Sequence, residues 1–259
     1  LSLAKGARMA GALIYEDTKV TGIEVDKGVI KGIETSQGYI SCGVVIACCG
    51  QWTHDFARCV GVNVPLVSVE HQYMVTEPIA GVSPDMPTLR DPDRLTYYKE
   101  EVGGLVMGGY EPNPIMWAKK GLPKGFHYQL LESNFDHFEP IMEQALGRVP
   151  ALQTAGVKML TNGPESFTPD GNFILGEAPE LKNFYVGAGF NAYGIAAGGG
   201  AGMALAEWVA NAGPPYDLWA VDIRRFGRPH FDTDWVRART YEAYGKHYTM
   251  AWPAEEHDS

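Results

Sequence analysis

Apolar and polar positions alternate most regularly over residues 67–76, where Val67, Val69, His71, Tyr73 and Val75 share one side of an extended strand. Ahead of it, β-branched runs over 19–25, 29–35 and 39–47 are separated by Asp26-Lys27-Gly28 and Ser36-Gln37-Gly38, both good turn sequences, and predict a β-meander. Its last run, Val44-Val45-Ile46-Ala47, is apolar on both faces, which suits a central strand. Leu3, Ala4, Ala7 and Ala10 recur at helical spacing, and residues 12–15 read as a short buried strand after that helix. Runs at 95–100 and 105–110 flank Glu101-Val102-Gly103-Gly104 and predict a hairpin. Leu130, Phe135, Phe138, Met142 and Ala145 predict helical packing over 128–147, with Pro140 either breaking that segment or starting a second helix. Residues 218–221 read as one more strand, and the tail after Gly213 as a solvated linker ending in Glu255-Glu256-His257-Asp258-Ser259.

The stretch that organises the chain runs from Phe167 to Trp208. An apolar strand over 183–186 enters Gly187-Ala188-Gly189-Phe190-Asn191, and a helix with Met203, Leu205, Ala206 and Val209 follows. A strand feeding a glycine turn and then a helix lets backbone N–H groups approach a ligand, with the positive end of the helix dipole facing it. The segment reads as a cofactor site, that of a flavin. It also fits G-x-G-x-x-A, but a dinucleotide fingerprint opens a full βαβ unit with an acidic residue about 20 positions on. After Asp222 too few residues remain to build such a domain. Asn191, Glu207 and the glycines exclude a membrane span here.

Composition narrows the classes further. A chain of 259 residues that is 45% hydrophobic can bury a large core, and a net charge of −10 disfavours nucleic acid or an anionic membrane as partner. The four cysteines show no C-x-x-C spacing, so neither a zinc site nor a disulfide framework is indicated, and a reducing compartment is expected. The chain opens without Met, in what reads as the middle of a helix.

Taken together, a series of landmarks resembles the dimethylglycine/sarcosine dehydrogenase branch of the D-amino-acid-oxidase-like flavoproteins. They are Cys48-Cys49-Gly50-Gln51-Trp52, Glu70-His71-Gln72-Tyr73, Arg90-Asp91-Pro92-Asp93, Gly108-Gly109-Tyr110-Glu111-Pro112, the run from Thr161 to Gly171, and Gly189-Phe190-Asn191 with Gly194-Ile195. The resemblance covers nearly the whole chain. The family's first strand and phosphate-cradling G-x-G-x-x-G are not in this sequence, nor is a folate-binding domain past the tail, so a fragment of a longer protein is expected.

The fold implied is mixed α/β: a partial Rossmann-like FAD-binding domain with a β-meander, interleaved with an antiparallel-sheet substrate domain. The corresponding division is 1–65 for the partial FAD-binding domain, 66–160 for the substrate sheet, 161–212 for the return to the FAD domain, and 213–259 for an extension or linker. The resemblance implies FAD-dependent oxidation of a secondary or tertiary N-methyl amine, whose iminium product hydrolyses to formaldehyde. Oxygen or an electron-transfer flavoprotein would be the acceptor, in the cytoplasm or, in a eukaryote, the mitochondrial matrix.

By the same resemblance, Phe190, Asn191, Gly194 and Ile195 lie along the flavin's pyrimidine edge with Gly189. Asp170 and Gly171 pass near the flavin, Val20, Cys49 and Gly50 line the adenine-ribose side, and Trp52 is a further cofactor-binding candidate. His71, whose unperturbed pKa is about 6.5, becomes the acid/base or orienting group, and Tyr97 its partner over the substrate. Arg90, Arg94 and Lys99 are candidate anchors for a substrate carboxylate, and nothing in their spacing selects one. Two alternatives remain: a non-catalytic remnant that keeps the fold, or an enzyme of the same superfamily acting on another substrate.

Overall fold

The computed structural model describes residues 1–256; His257, Asp258 and Ser259 of the expected acidic tail lie outside the described residues. Helix α1 (Ser2–Met9) is followed by an extended segment, and residues 12–15 join no strand. The meander forms as β1 (Val20–Asp26), β2 (Val29–Thr35) and β3 (Gly38–Ser41), in the order β1-β2-β3. The single strand expected over 39–47 is in fact two. Gly43 and its neighbours interrupt the ladder, and β4 (Val45–Ala47) leaves for a different sheet.

That second sheet has the order β10-β11-β4, with β10 (Ile174–Glu177) antiparallel and β4 parallel to β11 (Phe184–Ala188). Its apolar residues Ile174, Phe184 and Val186 pack with Val45, Ala47 and Ala57, the last on α2 (Thr53–Arg58). The strand expected to be central is therefore at an edge, and Ile46 and Val44 remain partly exposed. On the sheet's other side lies α4 (Gly194–Asn211), which buries Ala201, Ala204, Leu205 and Trp208.

The third sheet contains β5 (Val67–Thr76), β6 (Leu89–Asp91), β7 (Thr96–Glu101), β8 (Gly104–Gly109) and β9 (Val157–Phe167), in the order β6-β7-β8-β5-β9. The hairpin of β7 and β8 forms as expected, with Glu101 opposite Gly104. Period-two alternation makes the sheet two-faced. One face carries Met74, Tyr98, Leu105, Met107 and Leu160 and is covered by Phe138, Ile141 and Ala145 of α3 (Phe135–Arg148). Pro140 sits inside α3 without ending it. It is exposed, so water can satisfy the carbonyl it leaves unpaired while the buried stripe holds the helix together. The other face carries Val69, His71, Tyr97, Glu165 and Phe167.

The tail is not a linker. Residues 218–221 end in a 3-10 turn, Trp219–Val221, rather than a strand, and α5 (Thr233–Gly245) follows. Asp232 caps α5 by accepting from the backbone N–H of Asp234 and Trp235. Only Val236, Thr240, Tyr244 and Gly245 of this helix are buried. A stripe that narrow, partly polar, gives little periodic signal, which is why the sequence reads as solvated.

Gly176 in β10 has a φ of +111°, and a Cβ there would stand 2.6 Å from the Trp208 ring. Gly176→Ala should therefore cost roughly 2–4 kcal/mol through strain and overpacking. Gly198→Ala on the open face of α4 should be neutral or stabilising by up to about 1 kcal/mol. Urea denaturation of the two variants checks the contrast.

Candidate active site

In open α/β sheets, ligands gather beyond the carboxyl ends of parallel strands. Here β4 and β11 end side by side, with Val186 paired to Ala47. From β4 the chain turns through Cys49 and Gly50, whose φ is +56°, into the 3-10 turn Gly50–Trp52. From β11 it turns through Gly189 and Asn191 into α4, which begins with no side-chain cap and no acidic residue in its first turn. Ile195 is fully exposed, and Gly198, Gly199, Gly200 and Gly202 have open space where a side chain would stand.

A single buried clasp sets this turn. The Asn191 side chain accepts from Thr168 N at 2.9 Å and donates to Gly189 O at 2.6 Å. Gly189 is required there: its φ is +63°, and a Cβ would meet Thr168 Cγ2 at 2.7 Å. Asp170 accepts from Arg225 Nε at 2.6 Å and from the backbone N–H of Asn172, closing the turn that contains Gly171. Phe190 stacks on Phe173 at 5.1 Å. Asp170, Gly171, Gly189, Phe190, Asn191, Gly194 and Ile195 are thus brought together. The side chains of Asp170 and Asn191 are spent on shaping the turn, so what they present is backbone. Val20 lies apart from these, at the start of β1 in the meander.

A planar ring with a carbonyl edge fits this arrangement. The first N–H groups of α4 have no intrahelical partner, nothing caps them, and the glycine face beside them leaves room for close approach. An N-terminus of this kind stabilises nearby negative charge by roughly 0.3–1 kcal/mol, up to about 2 when partly buried.

Beside these turns lies a cavity of about 460 Å³ lined by Gln51, Trp52, His71, Tyr73, Phe126 and Glu165, among others. His71 is buried and stacks on Tyr110 with ring centroids 4.6 Å apart. Its Nδ1 is 3.0 Å from Tyr244 Oη. The Tyr244 hydroxyl donates to Glu111 Oε2 at 3.1 Å, and Glu111 Oε1 lies 2.9 Å from His137 Nε2. Because the Tyr244 proton goes to Glu111, the phenol oxygen accepts from His71 Nδ1–H. That fixes the tautomer and leaves Nε2 as a bare acceptor. Burial, reinforced by nearby His247, lowers the His71 pKa to about 4, so the ring is neutral near pH 7. In this state His71 offers Nε2 as a hydrogen-bond acceptor and carries no proton there to give.

Tyr97 shares the face of His71, one row along, and burial raises its pKa. Its hydroxyl lies over Gly108, where a Cβ would stand only 2.5 Å away. The phenol bonded to His71 is that of Tyr244. Among the anchor candidates, Arg94 pairs with Asp91 at 3.7 Å and Lys99 with Glu101 at 3.0 Å. Arg90 lies in the row of Tyr97, stacks over the Tyr248 ring at 3.9 Å and donates to His247 O.

Sequence reasoning missed Glu111, His137, Glu165, Tyr244 and His247. The tyrosines at 241, 244 and 248 in a tail without apolar runs were the available signal. His247 stands between Tyr110 at 4.3 Å and Tyr193, the residue before α4, at 5.3 Å, so the tail bridges the substrate sheet and the helix start.

Comparison with known proteins agrees with this geometry. The profile of the family described as FAD dependent oxidoreductase (DAO) matches residues 1–208, and that of the FAD dependent oxidoreductase central domain matches residues 213–259. The chain is 41% identical to mitochondrial sarcosine dehydrogenase of Mus musculus, over 98% of this chain and 28% of the relative. It is 40% identical to the formaldehyde-forming 4-methylaminobutanoate oxidase of Paenarthrobacter nicotinovorans, over 98% of this chain and 31% of the relative. It is 36% identical to the regulatory subunit of mitochondrial pyruvate dehydrogenase phosphatase of Mus musculus, over 98% and 29%. The chain thus spans less than a third of the length of these relatives. Among solved structures, L-proline dehydrogenase from P. horikoshii shares the fold, with a TM-score of 0.73 at 23% identity, covering 87% of this chain and 58% of that one. Among the described residues, no helix is long and apolar enough to cross a membrane.

Two predictions follow from the buried groups. Tyr244→Phe should destabilise the fold by about 1–3 kcal/mol, since it strips the buried Glu111 Oε2 and His71 Nδ1 of their shared partner. Chemical denaturation measures it. His71 ionises near 6.5 when unfolded and near 4 when folded, so its stabilising effect is complete above pH 6.5 and is lost as pH falls toward 4. Glu165, raised from 4.5 to about 7 by burial, acts oppositely and costs stability as pH rises through that window. In Glu165→Gln the rise in stability from pH 4.5 to 6.5 should therefore steepen, as read from urea midpoints.

Proposed function

Because the chain belongs to the FAD dependent oxidoreductase family, we propose that the protein containing it oxidises a secondary or tertiary N-methyl amine of the sarcosine or dimethylglycine type. The observation that carries this reading is the cavity holding neutral His71, beside Trp52 and the turns that end β4 and β11. The similarity to a sarcosine dehydrogenase and a methylaminobutanoate oxidase supports the substrate class.

The proposed cofactor is FAD, held by Gly50 and Trp52 on one side and by Gly189, Gly194 and Ile195 on the other, with the α4 N–H groups at the pyrimidine edge. When bound, FAD supplies a two-electron acceptor for the N-methyl carbon–hydrogen bond. Neutral His71 orients the substrate, while Tyr244, Glu111 and His137 keep the imidazole in one tautomer. Trp52, Tyr73 and Phe126 line the cavity with aromatic side chains, which limits water at the reacting carbon. Arg90 is the proposed anchor for a substrate carboxylate, since it alone of the three candidates lies in the row of Tyr97 rather than paired to a carboxylate. The electron acceptor is proposed to be oxygen or an electron-transfer flavoprotein, in the cytoplasm or the mitochondrial matrix.

A second reading, a regulatory protein that keeps the fold, is favoured by the 36% identity to a phosphatase regulatory subunit. Purifying the full-length protein separates the two. The enzyme reading expects flavin absorption bleached by an N-methyl amine under anaerobic conditions; a colourless protein, or a flavin that no such amine reduces, would sink it. Within the enzyme reading, His71→Ala should slow that reduction at least tenfold, followed by stopped-flow absorbance.

A further inference from the structure

The described residues leave few buried polar side-chain atoms without a hydrogen bond, and two of those, Glu165 Oε2 and Thr161 Oγ1, belong to residues lining the same cavity. Both lie on β9, on the face that carries His71. Glu165 stands opposite Val69, Gly163 opposite His71 and Thr161 opposite Tyr73. Between them Gly163 leaves the floor open: the nearest atom to a Cβ built there is Leu130 Cδ2 at 3.5 Å. Unpaired buried polar atoms are costly, and two of them on residues that line one cavity point to a polar ligand there. Carboxylate oxygens only accept, so the missing partner of Glu165 is a donor or a cation.

The remaining walls say which. Trp52, Tyr73 and Phe126 line the cavity with Glu165, and aromatic faces attract alkylated ammonium groups, which bare ammonium or a metal ion would not need. We propose that Glu165, together with Trp52, Tyr73 and Phe126 of the same cavity, is the binding site for the methylated cationic nitrogen of the substrate. This deepens the reading above and rests on it. The proton balance is simple. A secondary N-methylammonium arrives with two N–H bonds and a tertiary one with a single N–H bond; one such bond breaks, an O–H bond forms on Glu165, and the electron pair stays on nitrogen. Ammonium and carboxylate become neutral amine and carboxylic acid, with no change in total charge. A carboxyl whose pKa burial has raised to about 7 is poised to take that proton, and the neutral amine is the form that can be oxidised.

The titratable groups around Glu165 are His71 on β5, Tyr97 on β7, Tyr110 after β8, Tyr244 on α5 and His247 beyond it. Burial holds both histidines neutral and raises the tyrosines, so none of them is charged between pH 6 and 9. Glu111, also raised by burial, stands behind Tyr244, so a pH effect on cation binding in that range reports Glu165 when Glu165→Gln abolishes it.

The test uses the full-length protein and two probes. Trimethylglycine carries a quaternary nitrogen with no lone pair and is not oxidised; 3,3-dimethylbutanoate has the same shape with carbon in its place. Titration calorimetry at pH 8 should show at least a tenfold preference for trimethylglycine, shrinking as pH falls below about 7. Glu165→Gln should reduce that preference at least fivefold and remove its pH dependence, while Glu165→Asp keeps part of it. Since Gln is isosteric and removes a buried charge, the variant should be more stable than the parent at pH 8, a check that it folds. An unchanged preference in Glu165→Gln, or none in the parent, overturns the site even if amines still reduce the flavin. A Glu165-dependent preference without flavin reduction by any N-methyl amine keeps the cation site and sinks the oxidation reading.

Discussion

The antiparallel pairing of β5 with β9 is what everything else hangs from. It runs from Val67 opposite Phe167 to Thr76 opposite Val157 with one irregularity near its end, and it puts His71, Gly163 and Glu165 on a common face. A one-residue slip would send all of them to the α3 side, into a layer of Met, Leu and Phe. Register is fixed by that apolar layer, so the polar face inherits its alignment from the hydrophobic one. At the Phe167 end the same strand runs straight into Thr168, which Asn191 clasps. One ladder therefore sets both the substrate face and the distance to the helix start where the cofactor is proposed to lie.

Electrostatics follow from that burial. Around the cavity, burial keeps His71 and His247 neutral, raises several phenols and holds the proton of Glu165 up to about pH 7. Each shift has desolvation as its largest cause. A site that suppresses charge in this way suits chemistry in which a neutral amine must lose electrons, because a protonated nitrogen has no lone pair to give.

How much was legible in the sequence depended on the kind of signal. The alternation of Val67, Val69, His71, Tyr73 and Val75 gave β5 and its face correctly, because period two is a direct reading of strand geometry. The glycine turn into α4 was equally plain, since only glycine tolerates the backbone at Gly189 with Thr168 so close. What failed was anything set by neighbours in space. Two-sided apolarity pointed to a central strand at Val45–Ala47, which among the described residues pairs with β11 alone. Glu111, Tyr244 and Glu165 are ordinary polar residues in sequence; only the fold shows two of them bonded to each other and the third with nothing. Nor does the sequence show that the side chains of Asp170 and Asn191 are engaged in shaping their own turns.

The hydrogen bond between Tyr244 and His71 also bears on how this family exchanges parts. The boundary between the two family profiles falls near residue 210, which invites treating the segments as interchangeable modules. Yet the imidazole on one side takes its tautomer from a hydroxyl on the other, and His247 fills space between Tyr110 and Tyr193. A chimera that swaps the second segment would inherit a different proton arrangement in the first. A change on either side of that junction is thereby felt on the other.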